Sequence, residues 1–295
     1  MTPRTIRREA NAKINVFLRV LGDREDGYHE LESLVVPISL ADGVSVSAAS
    51  RLRVKVHEEP ALSGDVPVGG LNLSLVAALA VADRCPDAGG ALIEIDKRIP
   101  VAAGLGGGSA DAAATLDAVN ELWGCGLDPA DLAEIGERIG SDVPAMLART
   151  PVLMTGRGER LEPVEVVPFD WVLVRSGFGV RSPDAYRWWD EAGGSTTPDS
   201  GSTFAPGPLL AAAAAGDAEA LGPLLFNDLE APVIARHPAI GDVRKRLLEA
   251  GALGALMSGS GSSVLGLARD RAHAEELARG MDDAVAVVGP PRGKG

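Results

Sequence analysis

Hydrophobic and polar positions follow two different periods along this chain. In residues 44–56, apolar and charged side chains alternate with a period of two, which is typical of a half-buried strand. In residues 71–84, apolar side chains recur every three to four positions, which is typical of a helix with one buried face. The two periods succeed one another along the whole chain, and this mixture predicts an α+β fold.

The predicted elements are short and closely spaced. Strands are predicted over residues 12–20, 44–56, 91–95, 171–175, 253–257, 263–267 and 283–288. Helices are predicted over residues 71–84, 109–123, 130–139, 143–149, 209–215, 218–226, 241–250 and 271–280. Residues 192–208, which are rich in Gly, Ser, Thr and Pro, are expected to form a loop, and residues 289–295 a frayed tail. A shift in pattern near residues 160–170 predicts two domains, 1–165 and 166–295.

Charge excludes some classes of partner. The chain has 295 residues and a formal net charge of −13. A general nucleic-acid surface or an anionic-membrane surface needs a positive field, so neither is expected. A small basic pocket for a phosphate ligand remains compatible with this charge, and a small-molecule substrate is the expected partner.

The cysteines and histidines indicate whether a metal site is present, and the first residues indicate where in the cell the protein is found. Two cysteines are too few for a disulfide framework or a cysteine zinc site, and the four histidines lack metal-ligand spacing. Residues 1–9 lack the apolar region of a signal peptide, and no apolar run reaches the length of a membrane helix. These features predict a cytoplasmic protein.

A glycine-rich segment, residues 100–111 (PVAAGLGGGSAD), follows a predicted strand and opens a predicted helix. Glycine lets backbone N–H groups approach a ligand, and a helix N-terminus adds free donors and partial positive charge. The segment therefore predicts a phosphate cradle. The alternative is a tight strand-to-helix turn with Ser109 as a plain N-cap.

Two better-known glycine motifs fit this segment poorly. No lysine follows the glycines, as a P-loop requires. Ser109 stands where a dinucleotide-binding motif needs its third glycine, so a Rossmann oxidoreductase is only a weak rival hypothesis.

Two further glycine-containing segments leave alternatives open. Residues 257–263 (MSGSGSS) favour either a hairpin turn or a second loop facing phosphate. Residues 155–159 (TGRGE) are typical of a turn, in which Arg157 is a solvated charge unless a site lies nearby.

Several charged and aromatic side chains are candidates for chemistry, each with a structural alternative. Lys13 and Asn15 share one strand face, which either contacts a substrate or is solvated. Asp142 begins a predicted helix, where it is either a general base or, like Ser141, an N-cap. Residues 26–30 (DGYHE) place an aromatic ring beside an imidazole, either to hold a base or as a plain surface turn.

Six segments in this order resemble the GHMP kinase superfamily, which includes galactokinase and the homoserine, mevalonate and phosphomevalonate kinases. They are AKINVFLRV, DGYHELES, DKRIPVAAGLGGGSADAAATLDAVN, IGSDVPAML, TGRGERL and SGSGSSV. The resemblance implies an N-terminal domain like ribosomal protein S5 domain 2, a ferredoxin-like C-terminal domain and a site between them. It implies ATP as donor, Mg²⁺ as helper and, as substrate, a cytidine diphosphate ester of methylerythritol, phosphorylated on its 2-hydroxyl in the non-mevalonate isoprenoid route.

The resemblance also implies roles for individual residues. Asp142 would take the hydroxyl proton, and Lys13 would hold that hydroxyl and the carboxylate. The residues implied to bind ATP are Asn72, Lys97, Pro100, Val101, Ala102, Ala103, Gly104, Leu105, Gly106, Gly107, Gly108, Ser109 and Ala110. The residues implied to bind substrate are Asn15, Tyr28, His29, Arg157 and Tyr186, with Tyr28, His29 and Tyr186 around the cytosine and Arg157 at the diphosphate. Ser258, Gly259, Ser260 and Gly261 would support the phosphate loop, and Ser109 is the one candidate for positioning Mg²⁺.

Two other functions account for part of the sequence. The first is a different small-alcohol kinase of the superfamily. That hypothesis does not explain Tyr28 and His29, since the substrate of such a kinase has no base to stack. The second is a nucleotide-binding regulator without catalysis. That hypothesis does not explain why both Lys13 and Asp142 are present, because a regulator needs no proton-transfer pair. The sequence leaves open whether the protein is a monomer or a homodimer.

Overall fold

The computed structural model describes residues 4–58, 72–194 and 205–291. The strands are β1 (Thr5–Asp23), β2 (His29–Ala49), β3 (Arg53–Glu58), β4 (Gly90–Lys97), β5 (Val152–Gly156), β6 (Arg160–Pro163), β7 (Phe169–Val174), β8 (Phe226–Asn227), β9 (Gly254–Met257), β10 (Val264–Leu267) and β11 (Ala284–Gly289). The helices are α1 (Leu73–Ala82), α2 (Gly107–Trp123), α3 (Pro129–Ile139), α4 (Val143–Ala148), α5 (Ser182–Glu191), α6 (Pro206–Ala215), α7 (Ala218–Leu221), α8 (Glu230–Arg236), α9 (Pro238–Glu249) and α10 (Arg271–Arg279). This mixture confirms the predicted α+β class.

Most predicted elements are present, and two are wrong in detail. The single strand expected over 44–56 is two strands, because β4 pairs antiparallel with β2 and parallel with β3, so the chain must reverse between them. The helix expected over 218–226 ends at Leu221, before a short 3-10 turn that contains Pro223 and before β8. Pro223 has no N–H to continue the helical hydrogen bonds, which explains the early end.

The loop expected over 192–208 lies partly outside the described residues, which stop at 194 and resume at 205. At its end the prediction is wrong, because α6 already begins at Pro206. Proline is well tolerated in the first turn of a helix, so it starts α6 rather than extending the loop.

The chain divides into two compact units. Unit one comprises Met1–Ala12, Leu40–Val101 and Gly106–Arg149, and unit two comprises Lys13–Ser39, Ala102–Leu105 and Thr150–Gly295. Strands β1 and β2 therefore contribute residues to both units. The domain boundary expected near residue 165 stays a prediction.

Unit one packs helices against three strands. β4 lies between the C-terminal part of β2 and β3. The core of unit one is aliphatic and rich in alanine. Its buried members include Val44, Val46, Ala77, Ala78, Ile93, Ile95, Ala112, Leu116 and Val119. The small alanine side chains let α1 and α2 lie close together on the strands, which fixes where the N-termini of these helices lie within the unit.

A disulfide also joins unit one. Cys85 and Cys125 lie just beyond the C-terminal ends of α1 and α2 and are bonded to each other, with Cα atoms 5.2 Å apart. Two cysteines are too few for a framework of disulfides, but this single bond was not predicted, because the two residues are 40 positions apart.

Unit two contains a four-stranded antiparallel sheet in the order β11-β7-β10-β9. Helices α9 and α10 pack on this sheet through Leu247 and Leu277, which are both buried. In the same unit, β1 pairs with β8 in parallel, and β2 pairs with β5, which pairs with β6. Within the described residues, none of the helices has the length and apolar character that crossing a bilayer requires.

Candidate active site

A buried chain of polar side chains crosses β1 and β2 in unit two. Lys13 Nζ donates to Asn15 Oδ1 at 2.6 Å, Asn15 Nδ2 donates to Ser33 Oγ at 2.8 Å, and Ser33 Oγ donates to the Phe17 carbonyl at 2.5 Å. Lys13 is only 5% exposed and Asn15 1%. The two residues share a face as predicted, but the alternative of a solvated face is wrong, because both faces of this part of β1 are covered.

The first half of the glycine-rich segment is attached to this polar chain. The Lys13 N–H donates to the Leu105 carbonyl at 3.0 Å. Gly104 has a φ of +75°, and a Cβ placed on it would lie 1.9 Å from the Ser258 carbonyl oxygen. Ser258 Oγ in turn donates to the Gly104 carbonyl at 3.1 Å. Only glycine therefore fits this contact of backbone on backbone.

The segment Ser258–Ser263 covers the same place from the other side. It connects the antiparallel strands β9 and β10, so the hairpin alternative is correct. It also contacts the glycine-rich segment, since Ser263 N–H donates to the Ala103 carbonyl at 3.2 Å. A Cβ on Gly259 would lie 3.0 Å from Asn15 Oδ1 and 3.3 Å from Lys13 Nζ. The structure thus brings Lys13, Asn15 and both glycine-containing loops together within unit two.

The second half of the glycine-rich segment begins α2 in unit one. Gly106, with a φ of +67°, is the N-cap, and helix geometry starts at Gly107. The alternative in which Ser109 is a plain N-cap is therefore wrong, because Ser109 already lies inside the first turn. No side chain caps this helix, and its first turn contains no acidic residue. Free N–H groups and the helix dipole make such an end suitable for an anion.

Asp142 occupies the N-cap position of α4, but its carboxylate makes no capping hydrogen bond. The simple capping alternative is therefore wrong for the Asp142 side chain. The turn before it is held by the backbone, since Val143 N–H donates to the Gly140 carbonyl at 3.0 Å. Ser109 Oγ lies 3.8 Å from the position of a Cβ on Gly140, so α2 and the Asp142 turn are neighbours in unit one. Lys13 belongs to unit two, and its meeting with Asp142 stays a prediction.

Lys97 lies in a buried cluster of three charges. Its Nζ donates to Asp111 Oδ2 at 2.8 Å and also to Asp42 Oδ2. Asp42 further accepts the backbone N–H groups of Arg98 and Ile99. Burial favours the neutral acid and raises the pKa of Asp111 to about 7, and the charge of Asp42 adds to this while Lys97 opposes it. Asp42 and Asp111 were not foreseen, because no local pattern marks a buried carboxylate.

The two predicted nucleotide contacts outside the loop have partners within unit one. Lys97 Nζ lies 3.4 Å from the position of a Cβ on Gly107, beside the first turn of α2. Asn72 is the N-cap of α1, and its Oδ1 accepts the Ser74 N–H at 3.0 Å. The role of either residue toward ATP stays a prediction.

We expect Asp111→Asn to change how stability depends on pH. A raised pKa means that the folded state binds the proton more tightly, so this contribution is present below the ordinary value near 4 and lost as pH rises through about 7. Asparagine resembles the neutral acid, so the melting temperature of the variant relative to the wild type should increase from pH 4 to pH 8.

Asp117 on the same helix is the matched control for that pH series. Burial would raise its pKa, but hydrogen bonds from Arg8 and Arg149 outweigh this and lower it. The stability contribution of Asp117 therefore changes only below its ordinary pKa near 4, so the stability of Asp117→Asn relative to the wild type should stay constant from pH 4 to pH 8. Equal pH profiles for Asp111→Asn and the wild type would contradict the assignment of Asp111.

An aromatic group gathers around the turn between β1 and β2 in unit two. Tyr28 is 50% exposed, and the Arg157 guanidinium carbon lies 5.2 Å from the centre of its ring. The His29 ring stacks on Tyr186 with centroids 4.9 Å apart and meets Trp189 edge-on at 5.6 Å. The predicted substrate-binding residues therefore contact one another in two pairs, Tyr28 with Arg157 and His29 with Tyr186. Because its guanidinium lies against the Tyr28 ring, Arg157 is not simply a solvated charge.

Sequence reasoning missed two members of this group. Trp189 and Asp190 lie on α5, where no helix was predicted, and Asp190 Oδ1 lies 2.8 Å from His29 Nε2. The available signal was helical spacing, since Tyr186, Trp189 and Asp190 are three and four positions apart and so share one face.

Comparisons with known proteins agree with the motifs. The family model for the GHMP kinases N terminal domain matches residues 72–149, and the one for the GHMP kinases C terminal matches residues 209–287. A Symbiobacterium thermophilum protein named 4-diphosphocytidyl-2-C-methyl-D-erythritol kinase is 42% identical over 265 residues, covering 89% of this chain and 90% of that protein. A Pelotomaculum thermopropionicum protein of the same name is 41% identical over 283 residues, covering 95% and 96%.

Solved structures are similar to this chain either in sequence and fold or in fold alone. A crystal structure of 4-(cytidine 5'-diphospho)-2C-methyl-D-erythritol kinase has a TM-score of 0.79 and 36% identity, covering 97% of this chain and 100% of that one. A homoserine kinase from Cytophaga hutchinsonii has a TM-score of 0.70 at 20% identity, covering 98% and 95%, which shows a shared fold alone.

Proposed function

This chain belongs to the 4-diphosphocytidyl-2-C-methyl-D-erythritol kinase family of the GHMP kinases, and from that premise we propose its substrate and mechanism. It is an ATP-dependent kinase that acts on a small molecule. The acceptor is the 2-hydroxyl of 4-diphosphocytidyl-2-C-methyl-D-erythritol, and the products are the 2-phosphate and ADP. The reaction is a step in the non-mevalonate route to isoprenoid precursors.

One observation carries the proposal of substrate. Relatives with this name are 41–42% identical over nearly the whole chain, whereas the homoserine kinase with the same fold is only 20% identical. The ring group of Tyr28, His29 and Tyr186 supports the same choice, because a cytosine offers a planar face to stack, and homoserine and mevalonate offer none.

The proposed chemistry is a direct in-line transfer of the γ-phosphoryl group. Asp142 takes the proton from the substrate 2-hydroxyl as that oxygen attacks. Its carboxylate suits this role because it stands at the start of α4, in a turn that neighbours Ser109 in the first turn of α2. Lys13 holds the same hydroxyl and favours the ionised carboxylate through its positive charge. Asn15, which accepts a hydrogen bond from the Lys13 ammonium at 2.6 Å, keeps that side chain in place.

Charge neutralisation is the second part of the proposal. The ATP phosphates bind along residues 100–110, where the uncapped first turn of α2 offers N–H donors and no acidic side chain opposes them. The loop Ser258–Ser263 supports this segment from behind through its contacts with Gly104 and Ala103. Mg²⁺ fits a site with hydroxyl and phosphate oxygens, and Ser109 is the residue that would hold it. When bound, the ion neutralises negative charge on the transferring phosphate.

The remaining contacts are assigned to the two ends of the nucleotides. Lys97 and Asn72 contact ATP beside the first turns of α2 and α1. Arg157 binds the substrate diphosphate, and Tyr28, His29 and Tyr186 hold the cytosine. The cytoplasmic location and the choice between monomer and homodimer stay predictions.

A substrate panel tests this function. Purified protein with ATP and Mg²⁺ is supplied separately with the cytidine diphosphate ester, homoserine or mevalonate, and ADP formation is followed. We expect turnover with the cytidyl ester alone, with the new phosphate on the 2-hydroxyl by ³¹P NMR. Failure of the folded protein to turn over that ester would reject the proposal, and turnover of homoserine or mevalonate instead would move it to another kinase of the fold.

We expect Tyr28→Ala to raise the KM for the cytidyl ester by about tenfold, because base–aromatic stacking contributes about 1–3 kcal/mol per base. The KM for ATP should stay within about twofold, since Tyr28 has no assigned role toward that nucleotide. Leu79→Ala, which truncates a similarly exposed side chain on α1, is the control and should change neither value. Equal changes in both KM values for Tyr28→Ala would contradict the stacking role.

A further inference from the structure

The His29 imidazole is held by two carboxylates at the same ring nitrogen. Asp190 Oδ1, from α5, lies 2.8 Å from Nε2, and Asp23 Oδ1, at the end of β1, lies 3.3 Å from it. In the part of the chain that the structure describes, Nδ1 has no hydrogen-bond partner. The ring is therefore hydrogen-bonded to side chains of the described residues through Nε2 alone.

This arrangement fixes which nitrogen carries the hydrogen. Ionised carboxylates only accept hydrogen bonds, so Nε2 must be the donor to both. A neutral imidazole has one N–H and one lone pair, so Nδ1 is then the acceptor. The Tyr186 stack and the Trp189 edge contact hold the ring plane, so the direction of the Nδ1 lone pair is fixed as well.

Asp190 is better placed than Asp23 to control this state. Its oxygen is closer to Nε2, and its side chain is 45% exposed against 74% for Asp23. It also lies on the same helix face as Tyr186 and Trp189, so one rigid element supplies the carboxylate and both ring contacts.

We propose that Asp190 is a positioning residue that makes the site select cytosine over uracil by holding His29 with a hydrogen on Nε2 and a lone pair on Nδ1. Cytosine presents an exocyclic amino group, which donates to that lone pair. Uracil presents a carbonyl oxygen at the same place, so two acceptors would face each other without a hydrogen. The inference rests on the proposed function, in which His29 meets the pyrimidine of the substrate.

The kinetic test compares two substrates that differ only in this group, the cytidine and the uridine diphosphate ester of the same alcohol. In Asp190→Ala, we expect the ratio of kcat/KM for the cytidyl ester over the uridyl ester to fall by about tenfold through KM, the size of one lost hydrogen bond. The KM for ATP and kcat should stay within about twofold. Asp190→Glu, which restores a carboxylate, should recover most of the ratio.

The matched control is Asp184→Asn on the same helix, because that carboxylate pairs with Arg187 at 2.9 Å rather than with His29. It should leave the ratio unchanged. An equal loss on both esters in Asp190→Ala, as a packing role would give, overturns the inference, and so does an unchanged ratio.

A second readout requires no substrate. Long-range ¹H–¹⁵N spectra of the His29 ring at alkaline pH report which nitrogen is protonated. We expect the Nε2–H form in the wild type and a mixture with the Nδ1–H form in Asp190→Ala. An Nδ1–H form in the wild type overturns the inference even if the cytidyl ester is turned over. If the Nε2–H form is observed but the wild type turns over no pyrimidine ester, the proposed function is wrong rather than the protonation state assigned to His29.

Discussion

Asp142→Asn is expected to lower kcat by at least about 10²-fold while ATP still binds, because a positioned general base contributes typically 10²–10⁴-fold. Asparagine has nearly the same shape as aspartate but cannot accept the hydroxyl proton. Asparagine is accepted at the N-cap position about as well as aspartate, so the substitution should leave the melting temperature nearly unchanged. Turnover with the cytidyl ester, binding of a nonhydrolysable ATP analogue and thermal unfolding are the three measurements.

Asp128→Asn is the control for this experiment. Asp128 is also an N-cap in unit one, and its carboxylate accepts the N–H groups of Ala130 and Asp131. Asparagine caps helices about as well as aspartate, so neither kcat nor stability should change much. Near-normal turnover of Asp142→Asn would remove Asp142 from its role. A loss of kcat that merely follows a loss of folded protein would do the same.

Gly104→Ala is expected to destabilise the protein by about 2–5 kcal/mol, from a left-handed backbone strain of about 1–2 kcal/mol and overpacking of about 1–3 kcal/mol. The added Cβ would lie 1.9 Å from the Ser258 carbonyl oxygen and 3.0 Å from the Gly261 nitrogen, both backbone atoms. Neither atom can swing away, so the two loops must separate. Since Gly104 lies in the segment that we propose to bind the ATP phosphates, turnover should fall by at least about 10²-fold as well.

Thermal unfolding and ATP binding measure this effect. Gly207→Ala is the control, since a Cβ at that position in α6 has nothing within 4 Å. Alanine favours helix over glycine, so this variant should be at least as stable as the wild type. Unchanged stability and turnover in Gly104→Ala would show that the backbone contact between Gly104 and Ser258 does not hold the two loops together.

The parts of the fold that depend on local pattern were predictable from sequence. Helices α1 and α2 are rich in alanine and leucine, which favour helix, and the glycine-rich segment before α2 needs positive φ at Gly104 and Gly106, so these signals lie within a few residues. The shared face of Lys13 and Asn15 follows from the period of a strand alone. For these features, neighbours in sequence decide the outcome.

Other features depend on partners far away in the chain. The covering of the Lys13 face comes in part from Gly259, and the Ser258 hydroxyl meets the Gly104 carbonyl across 154 positions. The contact between His29 and Asp190 spans 161 positions. No period or spacing encodes such a pairing. The support of the glycine-rich segment by the loop at Ser258 was predicted only through the family resemblance, and the contact between His29 and Asp190 was not predicted.

Helix α5 holds two contacts at its opposite ends. Near its start, Ser182 Oγ lies 3.0 Å from Ser260 Oγ in the hairpin between β9 and β10, and near its end Asp190 meets His29. Eight residue steps at about 1.5 Å each set these points about 12 Å apart. The length of α5 therefore sets the distance between these two contacts in unit two. Inserting one residue in its middle would lengthen it by about 1.5 Å and rotate one end by about 100°, so the two contacts could no longer be made together.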